Sequence, residues 1–204
     1  MGSRLALSKG HFNRVVDKLV LLKDTSELMI DLAYSSLLLN SRELSEEVQV
    51  LEGRMDTLHT EFELLVLSSG FKPEESKDFL GLIRLGVVTE QIADAAMEIA
   101  DVVLRGLEPH PVLRRVIEEA EETVARVRVS KTSPLAGRKL REAKIQEETG
   151  MWVLVIRRGE EWLRPRSNTV IKADDVLIAS GYAEGEEDFR ELASGVRASA
   201  HEES

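Results

Sequence analysis

One stretch of this chain limits its fold more than any other. Leu44, Val48, Leu51, Met55, Leu58, Phe62 and Leu65 follow one another at alternating spacings of 4 and 3. Such a seven-residue repeat draws one apolar stripe down a helix and keeps it facing a neighbour that runs nearly parallel or antiparallel. A helix with this seam needs long partners, and the sequence supplies two. Upstream, His11 to about Leu39 carries Val15, Leu19, Leu22, Met29, Ala33 and Leu37 at helical spacing, with Ser26 in the gap. Asn40-Ser41 stops it, and Glu43, three residues after Asn40, has the spacing of a capping box for the seam helix. Downstream, Gly70 ends the seam helix and Pro73 stands where a first helical residue tolerates proline. A third helix, about Glu74 to Arg105, would be about 48 Å long. Leu82, Leu85, Ile92, Ala96, Ile99 and Val103 are its expected inner face. Gly81 and Gly86 each cost about 1 kcal/mol of helix propensity against Ala, which suits a close approach between helices. Gly106 and Pro109-His110-Pro111 stop this helix, and a short fourth one is expected from Pro111 to about Glu122. Three long helices with short loops predict an antiparallel, up-down-up bundle.

Near residue 128 the period changes. Val124 to Val129 alternates as a half-buried strand does. A helix is expected from Ser133-Pro134 to about Glu148, ended by Gly150. Trp152 to Ile156 reads as a buried strand, Arg157-Arg158-Gly159-Glu160 as a turn and Glu161 to Arg164 as the next strand. Val176 to Ala179 is a fourth strand and Glu186 to Ala193 a last helix. The expected order is β-α-β-β-β-α, and the fold class α+β. Residues 1–123 form a helical domain with its connector helix, 124–194 a small α+β domain and 195–204 a polar tail. The glycine and prolines of residues 106–128 mark that connector as the expected hinge.

The chain has 204 residues and no cysteine, which removes disulfides, thiolate metal sites and a cysteine nucleophile. It carries 27 basic and 37 acidic residues, net −10, a poor balance for sequence-independent nucleic-acid binding. The apolar run Leu19 to Leu22 breaks at Lys23-Asp24 and no other run is longer than the six residues Met151 to Ile156, so neither a membrane span nor a secretory signal is expected, and a cytoplasmic location is. Four scattered histidines and the absence of Gly-x-Ser-x-Gly, P-loop and zinc motifs argue against an enzyme.

Charge distribution marks two places for ligands. Residues 129–172 hold ten Lys or Arg and five acids, a local +5. Arg157, Arg158 and Arg164 are the candidates to fork onto a small anion. Against this, adjacent Arg157 and Arg158 point to opposite faces of a strand, and such charge also serves as a solvated border. The second place is acidic. Asp24, Glu27 and Asp31 share one face of the first helix; Glu90, Asp94, Glu98 and Asp101 share one face of the third. Carboxylates on facing helices can clamp a divalent or iron cation, provided that the two stripes meet. Apart, they are ordinary solvated faces. Trp152 and Trp162 read as core or dimer-interface residues.

From Ser133 to Leu192 the sequence resembles the TrkA C-terminal (RCK-C) domain. Ser133-Pro134-Leu135-Ala136-Gly137-Arg138-Lys139-Leu140-Arg141-Glu142, Thr149-Gly150, Val155-Ile156-Arg157-Arg158-Gly159, Trp162, Pro165, Thr169, Ile171, Asp175-Val176-Leu177 and Gly181 carry the likeness. One departure is Asp174-Asp175, where the family often has Gly-Asp. Residues 12–107 resemble the PhoU-type helical domain through Lys23 to Ala33 and Glu90 to Ala96. The pair resembles an archaeal-type regulator related to potassium channels. The resemblance implies a regulatory or accessory protein of potassium or cation transport, a homodimer, a membrane channel or transporter subunit as partner, and a small anion such as a cyclic dinucleotide at the second domain. PhoU-like proteins can carry metal on Glu-x-x-x-Asp pairs, and Glu27/Asp31 and Glu90/Asp94 repeat that spacing. A PhoU-like phosphate-signalling or metal-binding adaptor is the rival reading. The Gly-x-Gly-x-x-Gly turn of a nucleotide-binding RCK-N domain does not occur, so NAD is not expected.

Overall fold

The computed structural model describes residues 9–69, 73–106, 112, 115 and 122–195. The chain divides into two compact units, residues 1–107 and 108–204. The first holds α1 (Lys9–Leu38), α2 (Arg42–Leu67) and α3 (Ser76–Leu104), with one 3-10 turn over Pro73–Glu75. All three helices pack on one another, as the seam requires. Leu44, Val48, Leu51, Met55 and Phe62 are buried on α2, and the stripe drifts by one residue to end on Val66. On α1, Val15, Leu22, Met29 and Ala33 are buried with Ser26 among them.

Two local expectations are corrected. Asn40 does not open a capping box. It takes a left-handed φ of 45° at the end of α1, and the Ser41 N–H donates back to the Ser36 carbonyl at 2.9 Å. Ser41 precedes α2 without a side-chain cap. On α3 the buried stripe is Phe79, Gly86, Thr89, Ala93, Ala96, Ala100 and Val103, whereas Leu85 and Ile92 lie outside. Small side chains fill the middle of this stripe, and at Gly86 α2 comes too close for a side chain. A Cβ on Gly86 would sit 2.8 Å from the Phe62 ring. Gly81 meets nothing within 4 Å, so close approach accounts for Gly86 alone. The short helix expected from Pro111 to Glu122 lies mostly outside the described residues.

The second unit is built on β1 (Glu122–Arg128), β2 (Met151–Arg158), β3 (Glu161–Leu163) and β4 (Val176–Tyr182). They form one antiparallel sheet in the order β1-β4-β2-β3. One face carries Ala125, Val127, Met151, Val153, Ile156, Leu177 and Ala179 into a core closed by Phe189, Leu192 and Ala193 of the last helix, α5 (Glu186–Ser194). The element order and the α+β class follow the expectation.

The helix expected over 133–148 is mostly absent. Only α4 (Ile145–Thr149) and a 3-10 turn over Leu140–Glu142 form. The backbone explains it. The N–H groups of Gly137, Leu140 and Arg141 donate to the carbonyls of Ile171, Thr169 and Ser167, and the Ile171 N–H donates to Arg138. A helix would need those same groups for itself. The Ser133 hydroxyl fixes the start by donating to the Leu192 carbonyl at 2.8 Å and accepting the Leu135 N–H at 3.1 Å. Gly137, at φ 86°, makes the turn that leads into the paired stretch.

Candidate functional site

Strand β2 leads through the Arg157-Arg158 pair to Gly159. At its end, Arg158 aims two of its three guanidinium nitrogens at Asp175, Nε to Oδ1 at 2.9 Å and Nη2 to Oδ2 at 2.7 Å. Nη2 also donates to the Val170 carbonyl at 2.8 Å. Asp175 is buried and takes a third bond from the Lys172 N–H at 2.8 Å. The hydrogen bond to Asp175 raises the Arg158 pKa above the ordinary guanidinium value, burial opposes it, and the Asp175 charge adds to the rise. Arg158 is therefore committed to holding the loop before β4. Asp174, standing where the resemblance places glycine, takes a left-handed φ of 69° and donates its N–H to the Val129 carbonyl at 2.8 Å.

Arg157 lies on the other side of the strand. Its guanidinium stacks 5.4 Å from the centroid of the Trp162 ring and reaches Glu160 at 3.3 Å. Arg164 is exposed, just beyond β3. Of the three arginines named as candidates for a small anion, Arg158 serves a buried carboxylate and Arg157 an aromatic face.

A cavity of about 290 Å³ lies elsewhere in the same unit. Leu140, Ile145, Met151, Val153 and Pro165 give it apolar walls, and Arg141, Gln146, Glu147, Trp152 and Ser167 surround them with polar or aromatic groups. Three segments meet here: the 3-10 turn and α4, the start of β2, and the loop after β3. Trp152 is 59% exposed although it sits in a core strand. An irregularity in the β2–β4 register between Val153 and Val155 interrupts the strict alternation beyond it. Of the two readings of Trp152, core or dimer interface, its exposure removes the core one. Arg141, one of the ten cations of 129–172, lines the cavity. The signal that finds it is the paired stretch 137–141, which no helical reading reveals. Chemically, the cavity offers an indole face, one guanidinium that also reaches Glu142 at 3.5 Å, the Glu147 carboxylate and an apolar floor.

The acidic residues are placed separately. Glu27 is bound to Lys23 at 2.6 Å, and Asp31 is half-buried further along α1. Glu90 of α3 turns toward α2, 4.0 Å from the His59 ring, which also lies 3.6 Å from Glu63. Asp94 is exposed. Among the described residues no group of three or more His, Asp or Glu could hold a metal ion. The clamp of Glu27, Asp31, Glu90 and Asp94 is therefore not formed within one chain, since Glu90 turns toward α2 and Glu27 is bound to its own helix neighbour. Among the described residues no helix is long and apolar enough to cross a membrane.

The family model of the TrkA-C domain matches residues 124–194, and that of the PhoU domain matches residues 19–103. No curated protein matches the chain. Among solved structures, the chain is similar to the RCK C domain of the potassium transport protein KtrA in complex with cyclic diadenosine monophosphate. That match has 22% identity over 39% of this chain and 93% of that one, with a TM-score of 0.33. It is similar to the GsuK channel at 14% identity over 58% of this chain and 21% of that one, TM-score 0.34. The GsuK channel bound to NAD matches at 14% over 55% and 21%, TM-score 0.33. The chain spans about a fifth of the length of those channel chains. Both matched domains are regulatory rather than catalytic. The chain is a regulatory-domain protein that joins a PhoU domain at residues 19–103 to a TrkA-C domain at residues 124–194.

Proposed function

We propose that this protein is a cytoplasmic regulator of potassium or cation transport, in which the TrkA-C domain senses a small anionic ligand and the PhoU domain assembles the molecule. It acts as a homodimer on a membrane channel or transporter subunit. The observation that carries the ligand reading is the cavity beside Trp152. Its volume is near the lower end of the ~300–1,000 Å³ of small-molecule sites, room for one planar base and its adjoining phosphate. Trp152 supplies a stacking face, and Arg141 a cation for the anionic part. This moves the ligand from Arg157, Arg158 and Arg164 to Arg141 and Trp152.

Cyclic diadenosine monophosphate, the ligand of the KtrA domain, has the chemistry such a cavity takes: flat bases joined by phosphates. Sensing requires that the ligand favour one arrangement of the protein over another, so binding and output are linked through that preference. Calorimetric titration of the full chain with cyclic diadenosine monophosphate, a mononucleotide and inorganic phosphate tests the reading. Saturable binding lost in Trp152→Ala and Arg141→Ala supports it. No saturable binding of any of the three removes it. The rival, a PhoU-like adaptor carrying metal on Glu27/Asp31 and Glu90/Asp94, would need a second chain to complete the ligand set.

A further inference from the structure

The helical unit leaves large apolar side chains outside. On α3, Leu85, Val88 and Ile92 are 49%, 50% and 42% exposed. With Gly81, Ala95, Ile99 and Val102 they continue a spacing of 4 and 3, a second heptad stripe beside the buried one. On α1, Phe12, Val16 and Val20 are exposed as well. The two sets are neighbours. His11 reaches the Leu65 carbonyl and Lys18 reaches Glu61, so α2 lies on that side of α1. Gly86 faces Phe62 and Glu90 faces His59, so α2 lies on that side of α3. At 3.6 residues per turn, Phe12, Val16 and Val20 therefore flank the α1–α3 contact on its outer edge, and so do Leu85, Val88 and Ile92. Their exposed parts amount to on the order of 500 Å² of apolar surface, close to the apolar share of the ~800 Å² that each partner gives a standard interface.

We infer that this α1–α3 face is where a second copy of the chain docks, with the two α3 helices antiparallel across a two-fold axis near Gln91. The charges argue for that occupant. Along the open flank of the stripe, one residue before each of Leu85, Ile92 and Ile99, stand Arg84, Gln91 and Glu98. A two-fold axis at Gln91 places Arg84 of each copy opposite Glu98 of the other and sets Val88 against Ile92. Among the described residues neither Arg84 nor Glu98 has an ion pair within its own chain. The other flank of the stripe is occupied by α1, so the face is self-complementary through α3 in one orientation. The inference rests on the homodimer reading above and names its surface; it is independent of the ligand.

Light scattering of the full chain tests it, with circular dichroism to confirm folding. Wild type is expected to be a dimer at micromolar concentration and Val88→Glu/Ile92→Glu a folded monomer. Arg84→Glu alone should weaken the dimer by about tenfold, and Arg84→Glu/Glu98→Arg should restore it. Since the chain has no cysteine, Gln91→Cys should be captured as a covalent dimer by a short bismaleimide. A dimer unaffected by the glutamates, or by the Arg84 reversal with no capture at Gln91→Cys, overturns this face and leaves the homodimer reading standing. A wild type that is monomeric throughout overturns both.

Discussion

Along the centre of α3 the helical unit buries Gly86, Thr89, Ala93, Ala96 and Ala100, while Leu85, Val88 and Ile92 face out. The second unit differs from α3: Leu135, Met151, Ile156, Ile171, Leu177 and Phe189 are all interior, as Leu22, Met29, Leu44, Met55 and Phe62 are on α1 and α2, and Trp152 and Tyr182 are the aromatics left outside. At Gly86 α3 is limited by how closely α2 approaches, so what matters there is steric. The sheet unit has fewer residues per buried side chain and more loop, and polar ties such as Arg158–Asp175 and Ser133–Leu192 hold its loops in place.

The sharpest way to break this contrast is to remove a polar tie from each unit. Asp175→Ala takes away a buried acceptor of three hydrogen bonds and strands the Arg158 guanidinium, which is partly solvated. The expected loss is about 2–3 kcal/mol, below the 3–5 kcal/mol of a fully buried pair. Because Arg158 is raised by this contact, its contribution is present at every pH below the ordinary guanidinium range and is lost only as pH rises through the raised value. Arg158 should therefore add no pH dependence to this loss near neutrality. In the helical unit, Glu61→Ala breaks the exposed Lys18–Glu61 pair and should cost less than about 1 kcal/mol. Hydrogen exchange read separately over residues 9–69 and 122–195 measures both. Equal losses would show that the two units do not differ in this respect.

Next in size is the steric side of the comparison. Gly86→Leu must displace the Phe62 ring and should cost about 1–3 kcal/mol. Gly81→Ala meets open space and should gain up to about 1 kcal/mol through helix propensity. Opposite signs in urea unfolding of the two variants are the expected result. A gain at Gly86 would mean that the α2–α3 approach is not limiting.

How much of this was legible beforehand follows the same division. The α2 seam reads directly because large apolar residues repeat at 4 and 3. The inner face of α3 does not, because alanine, threonine and glycine give a weaker signal than leucine and isoleucine. A periodicity search therefore selects Leu85 and Ile92 and misplaces the core. In the second unit the strands and α5 read from local pattern, whereas 133–148 reads as helix because nothing local reports the bonds from residues 137–141 to 167–171. The same long-range pairing builds the cavity, so Arg141 and Ser167, 26 positions apart in the chain, could not be joined from spacing alone. The charge pattern marks the basic focus but not which arginines serve buried partners. That depends on Asp175 being interior.

The smallest effects test whether backbone strain respects the division at all. Asn40 closes α1 at φ 45°, and Asp174 precedes β4 at φ 69°. Both hold the left-handed region, which L-residues enter at a cost and which Asn and Asp tolerate better than most. Glycine removes that cost but gives back part of it through the greater freedom of the unfolded chain. Asn40→Gly and Asp174→Gly should each therefore stabilise by only about 0.5 kcal/mol. Since each cost is local, the gains should be similar in the steric unit and in the polar one, and additive in the double variant. Thermal unfolding of the two single variants and the double measures this. A much larger gain at Asp174 would mean that the loop held by Arg158 and Asp175 is itself strained, and that the polar ties of the second unit work against its backbone rather than with it.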